Sequence, residues 1–187
     1  MSGPWFTSDT HFGHDAVIRY SRRPFSCIEE MDQAIIDNWN AVVKPGDVVY
    51  HLGDFSFHRV ERTSEIARSL KGRKFLVRGN HDGWSDAKLR EFGFAGVAWD
   101  LKTVRVGDQR IVLCHYPMLT WDRAHYGTWQ LHGHSHGTLR PDPHSLRCDV
   151  GVDPWAMRPV SFDEVAAHMR TKTFRPVDHH GTNPEAP

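Results

Sequence analysis

The chain has 187 residues, 39% of them hydrophobic, with Lys plus Arg and Asp plus Glu balanced at 23 each. That length supports one domain with a substantial core, and zero formal net charge excludes the broad basic field with which proteins hold long nucleic acids. Three cysteines without C-x-x-C spacing exclude a disulfide framework and a thiolate zinc site, and the absence of a leader-like or membrane-length apolar run predicts a soluble cytoplasmic protein.

Pro4 to Thr7 (PWFT) reads as a buried strand and runs into Asp9-Thr10-His11. Ile28, Met31, Ile35, Trp39 and Val42 set an apolar stripe on one face of a helix. Asp47 to Leu52 (DVVYHL) is a second strand, ending at Gly53-Asp54, and Ile66, Ala67 and Leu70 mark a shorter helix that Gly72 stops. Lys74 to Val77 leads into Gly79-Asn80-His81-Asp82. Leu101 to Val106 and Gln109 to Leu113 flank Gly107-Asp108, a two-residue hairpin loop, which predicts a more antiparallel second half. Arg110 to Cys114 precedes His115, and Thr128 to Leu131 precedes His132-Gly133-His134-Ser135-His136. Ser161 and Glu164 have capping-box spacing ahead of a helix whose buried face is Phe162, Val165, Ala166 and Met169. Beyond about Arg175 there is no periodicity, so the expectation is one domain over residues 1–174 and a mobile tail over 175–187. Alternation of strand and helix predicts an α/β layered fold.

Each of five apolar runs ends in side chains able to bind metal, and in layered α/β folds ligands gather beyond the carboxyl ends of strands. Glycines 53, 79 and 133 fit such tips, where the backbone must turn sharply. Asp9, Asp54, Asn80 and the four histidines 11, 115, 134 and 136 combine oxygen and nitrogen donors, suited to manganese, iron, zinc or nickel rather than to a calcium cage. The donors are too many for one catalytic ion; two divalent ions about 3.5 to 4 Å apart, sharing an aspartate, would use them all. Two such ions outweigh the local carboxylates and leave a positive pocket that suits a phosphate.

The set Asp9-x-His11, Gly53-Asp54, Gly79-Asn80-His81-Asp82, His115 and Gly133-His134-x-His136, in this order, resembles the calcineurin-like metallophosphoesterase superfamily. The stretches TSDTHFGH, HYPMLTWDRAHYGTWQLHGHSHG and VGVD-x-W-x-x-RPVSFDEV are similar to its small stand-alone bacterial and phage branch. The resemblance implies a four-layer αββα sandwich with two mixed sheets. It also implies that Asp9, His11 and His136 hold a first metal, Asn80, His115 and His134 a second, and that Asp54 bridges them. His81 would be the acid that protonates a leaving oxygen, oriented by Asp54 or Asp82. The expected reaction is hydrolysis of a small phosphodiester, such as a small or cyclic nucleotide, by in-line attack of a metal-bridging hydroxide, with manganese as the first choice of ion. A phosphomonoesterase, a nuclease on short strands, or a non-catalytic scaffold of the same fold are the alternatives. Gly53-Asp54 continues into Phe55-Ser56-Phe57-His58 and the other motif ends in Asp82, unlike the protein phosphatases of the superfamily, so a Ser/Thr protein phosphatase is not expected.

Other residues carry two readings each. His14 is a candidate substrate contact or a loop hydrogen-bonder, and Arg23 a candidate phosphate contact or a salt-bridged surface turn. His51 and His132 read as structural, and Trp121, Tyr126 and Trp129 as either a wall that stacks a base or packing for their loop. His144, His168, His179 and His180 fit solvated positions.

Overall fold

The computed structural model describes residues 3–177. One sheet has the order β4 (Gly96–Ala98), β3 (Arg73–Val77), β2 (Val48–His51), β1 (Trp5–Thr7), β9 (Val160–Ser161). Within it β1 to β4 run parallel, and only β9 is antiparallel, to β1. The second sheet has the order β5 (Leu101–Val106), β6 (Gln109–Cys114), β7 (Trp129–His132), β8 (Arg147–Asp149). Side chains alternate across each strand. Phe6 and Tyr50 therefore point toward the second sheet and pack with Ile111, Leu113 and Leu131, while Trp5 and Val49 point to the opposite face.

That opposite face is covered by α1 (Asp15–Tyr20), α2 (Ile28–Val42), α3 (Val60–Ser69) and α4 (Asp86–Glu91), and α5 (Phe162–Arg170) packs on the second sheet. The result is a four-layer αββα sandwich. Met31, Ile35 and Trp39, the core of the stripe predicted for α2, are fully buried. Each such side chain contributes roughly 1.5 to 3 kcal/mol by leaving water. No described helix is long and apolar enough to cross a membrane.

The Gly107-Asp108 turn closes β5 onto β6 in register, Val106 opposite Gln109. The expectation of a more antiparallel second half is nonetheless corrected: β6 pairs parallel with β7, and β7 parallel with β8. The chain returns to the starting edge between these strands through irregular crossings, with only one short 3-10 turn, Ala124–Tyr126, in the first of them. Because of this parallel direction, β1, β2, β3, β6, β7 and β8 all end at the same edge of the sandwich.

Arg175 still donates its amide to His144 O at 2.9 Å, so the first residue assigned to the tail is hydrogen-bonded to the domain. Residues 178–187, with His179 and His180, lie outside the described residues.

The capping box of α5 is formed. The Glu164 amide donates to Ser161 Oγ (3.2 Å), the Ser161 amide donates to Glu164 Oε2 (2.9 Å), and Arg158 Nη2 reaches Glu164 Oε1 at 2.6 Å. Arg158 holds the Glu164 carboxyl down to about 2, against burial that would raise it. A carboxylate depressed in the folded state stabilises the fold above its unfolded pKa, near 4.5, and loses that contribution as pH falls toward 2. Glu164→Ala is therefore expected to cost about 1 kcal/mol at neutral pH. Urea titrations across the acid range should show the gap between the two proteins closing below pH 4.5; a gap independent of pH would contradict the assigned charge.

Candidate metal centre

The five predicted tips meet at that common edge. Their assembly needs unusual backbone. Asp9, His11, Asp54, His134 and His136 have φ between 48° and 64°, a left-handed conformation that Asp, Asn and His tolerate best among residues with a side chain. Such positions cost of order 1–3 kcal/mol each and cluster where function over-determines them. Of the three tip glycines only Gly53 has positive φ, at 98°. Gly79 and Gly133 are needed for close approach instead: a Cβ would overlap the Asp54 carboxylate at the first and Ser8 Oγ and the Asp9 carboxylate at the second.

The hydrogen bonds set the histidine tautomers. His115 Nδ1 lies 2.8 Å from Leu52 O, and a carbonyl only accepts, so Nδ1 carries the proton. Nε2 of the same ring faces Asp54 Oδ2 (3.6 Å) and Asn80 Oδ1 (3.0 Å). His136 Nδ1 likewise sits 2.8 Å from Asp153 Oδ2, with Nε2 facing Asp9 Oδ1 at 3.8 Å. Burial alone would lower the His136 pKa, but Asp153 and Asp9 outweigh it and raise it. Burial lowers the pKa of His11, whose Nε2 is 3.8 Å from Asp9 Oδ1 and 3.6 Å from Asp54 Oδ2. Asp9 Oδ1 and His11 Nε2 are buried with no hydrogen-bond partner.

A buried orphan acceptor costs roughly 1–3 kcal/mol. Here Asp9 Oδ1, Asp54 Oδ2 and the Nε2 atoms of His11 and His136 face one another beyond hydrogen-bonding distance, and a cation between them would satisfy them at once. The donor atoms of Asp9, His11 and His136 lie within 4.8 Å of one another, as do those of Asp9, Asp54 and His115. Asp54 Oδ2 is equidistant from the Nε2 atoms of His11 and His115, and Asp54 Oδ1 accepts from the His81 amide at 2.9 Å. Metal-binding imidazoles usually donate their second N–H to a carbonyl or carboxylate, which orients them.

The other predicted residues fall as follows. The His134 amide donates to Asp9 Oδ2 (2.9 Å) and its ring stands edge-on to His115 and Tyr116. His81 has a side chain 45% exposed, with Nε2 4.0 Å from Asp54 Oδ2. Asp82 does not reach toward the His81 ring as expected: its carboxylate accepts the amides of Asp54, Phe55 and Gly79 and so clasps two tips together. His14 stacks on Phe57, ring centroids 3.9 Å apart, and its Nδ1 is 3.1 Å from His11 Nδ1. Arg23 is salt-bridged, as one of its two readings had it, but it is buried rather than on the surface and is not free for a phosphate. Its side chain is 0% exposed, and it donates to both oxygens of Asp153 and to the carbonyls of Asp9 and Thr10.

His51 is structural, with its pKa pushed by burial to about 3. It accepts the Gly53 amide at Nδ1 and meets Thr10 Oγ1 at Nε2. His132 is buried, with Nδ1 2.9 Å from Gly133 O. Trp121 is buried and donates to Thr128 O, Trp129 stacks on Phe162, and Tyr126 lies by the start of β6, at the far end from the tips. Of the two readings, Trp121 and Trp129 follow the packing one, while Tyr126 is exposed and too far from the tips to stack a base at the centre.

Two groups at the site were not singled out from sequence. Asp153 holds His136 and Arg23, with its carboxyl at about 2: burial would raise it, and the hydrogen bonds from His136 and Arg23 outweigh that and lower it. It stands beyond Val150-Gly151-Val152, past the end of β8, so it follows an apolar run and a glycine much as Asp54 does. Exposed rings also surround the centre: Tyr20 edge-on to His136, Phe57 beside His81 and Tyr116 beside His115.

A two-sheet sandwich with paired acceptor cages at its strand tips defines a metallohydrolase architecture. The chain belongs to the calcineurin-like phosphoesterase superfamily, whose domain model matches residues 5–148, a family of metal-dependent phosphoester hydrolases. It is 32% identical over 166 residues to an uncharacterised protein of Methanocaldococcus jannaschii, covering 85% of this chain and 86% of that one. It is 29% identical over 194 residues to the Gene 66 protein of Mycobacterium phage L5, covering 88% and 93%. Among solved structures, a protein of unknown function from Aquifex aeolicus superposes with a TM-score of 0.70 at 25% identity, over 90% of this chain and 100% of the other.

Proposed function

We propose that the protein hydrolyses a small phosphodiester with two divalent ions, manganese foremost. Asp9, His11 and His136 would hold one, Asn80, His115 and His134 the other, and Asp54 both. The observation that carries this reading is the pair of facing, buried, unpartnered acceptors Asp9 Oδ1 and His11 Nε2. Bound divalent ions supply Lewis acidity toward phosphoryl oxygens and stabilise charge developing on them.

The chain's own residues do the rest. Leu52 O and Asp153 fix the rings of His115 and His136. His81, held near Asp54 by its backbone but with a solvated ring, is placed to give a proton to a departing oxygen. Three free thiols, Cys27, Cys114 and Cys148, fit a reducing cytoplasm.

Protein purified without chelators is expected to contain about two metals per chain and to turn over bis-aryl phosphate faster than mono-aryl phosphate. Faster monoester turnover would replace the diesterase reading, and absence of both metal and turnover would remove the enzyme reading. In the same assay His81→Ala should lower kcat by about 10²- to 10⁴-fold at unchanged metal content; full turnover would refute the acid role.

A further inference from the structure

A cavity of about 420 Å³ adjoins the candidate metal centre on the Asn80 side, at the seam between the end of β3 and the junction of β4 with β5. It shares Asn80 with the centre and is lined by Arg78, Trp99, Asp100 and Tyr116. Trp99 is 65% exposed and Tyr116 47%, although large aromatics are usually covered. The Trp99 ring is held in place from behind: the Arg78 guanidinium sits 4.2 Å from its centroid and is itself tied to Asp82 O (2.5 Å) and Asp86 Oδ1 (2.7 Å). Arg78 is 6% exposed, and its Nε is buried without an acceptor. On the other flank the Tyr116 hydroxyl lies 3.5 Å from Asn80 Oδ1.

An exposed indole, a second aromatic ring and the Asp100 carboxylate form a surface for a flat heterocycle with polar edges. We propose that this cavity is the subsite for the nucleobase of a small nucleoside phosphodiester, stacked on Trp99 while its phosphate occupies the metal centre. The volume fits one base with its sugar rather than a strand, within the usual range of ligand pockets. The wall considered for Trp121, Tyr126 and Trp129 is here assigned to other residues. This inference rests on the phosphoesterase reading and names its substrate class.

The test is calorimetric binding of adenosine 5′-monophosphate, ribose 5-phosphate and inorganic phosphate to the full chain with manganese. The nucleotide should bind about 10-fold or more tighter than the sugar phosphate, the margin that stacking of one base provides. That margin should fall below about twofold in Trp99→Ala and largely survive in Trp99→Phe, with thermal melts confirming that both variants fold. Equal affinity for nucleotide and sugar phosphate in the unaltered protein, or a margin that persists in Trp99→Ala, would overturn the subsite while leaving the phosphoesterase reading intact. Failure of all three ligands to bind, together with no turnover of any aryl phosphate, would overturn both.

Discussion

Asp54→Asn is expected to lower kcat/KM for a bis-aryl phosphate by about 1000-fold or more and to leave at most about one metal per chain. A metal ion supplies several kcal/mol of transition-state charge stabilisation, and each 1.36 kcal/mol is about a factor of ten in rate. Asp54 Oδ2 stands 3.6 Å from Nε2 of both His11 and His115, so its loss weakens both cages rather than one. An asparagine keeps one acceptor for the His81 amide but turns N–H groups into a space built from acceptors. Metal content by atomic emission, measured alongside turnover, decides the matter: two ions and undiminished rates in the variant would show that Asp54 is not shared.

Removing metal should destabilise the fold by a comparably large margin. A ligand that binds only the folded state adds about 4 kcal/mol per site when its free concentration is 1,000 times Kd. For a chain of this size that corresponds to roughly 8 to 16 °C in melting temperature. The apo cage is also costly in itself, because Asp9 Oδ1 is buried without a donor and faces Nε2 of His11 and His136 at 3.8 Å each. Asp9→Asn should therefore reverse the order of stabilities. Its amide can offer N–H groups to those two rings, so the variant should melt higher than the unaltered protein in chelator and lower in manganese. A melting curve indifferent to chelator would show that no ion is structural here, and two curves that never cross would show that the orphaned acceptors are not a source of strain.

The tips were legible because each couples a short apolar run to a glycine or polar residue, a pattern that survives without knowing how strands pair. The capping box at Ser161 and the Gly107-Asp108 turn were legible for the same reason, since both are local. The direction of β7 and β8 was not, because the crossings before them have no long helix whose periodicity would mark a return. Arg23 and Asp153 were misjudged or missed for the opposite reason. Their pairing spans 130 positions, and nothing near Arg23 announces that its guanidinium will be sealed under the Asp9 and Thr10 carbonyls. Trp99 escaped notice because it stands outside any motif and matters only once β4 and β5 bring it beside Asn80.

The seam between the sheets also sets a timetable for synthesis. Asp9, His11, Asp54 and Asn80 descend from the first sheet and leave the ribosome early, whereas His115, His134 and His136 descend from the second and leave late. A nascent chain that has completed β1 to β4 thus carries, of the seven proposed ligands, one histidine and three side-chain oxygen donors. The imidazoles that complete both cages arrive only after the second sheet has begun to close over the first. If these residues hold the ions as proposed, neither cage would be complete until the second sheet is made.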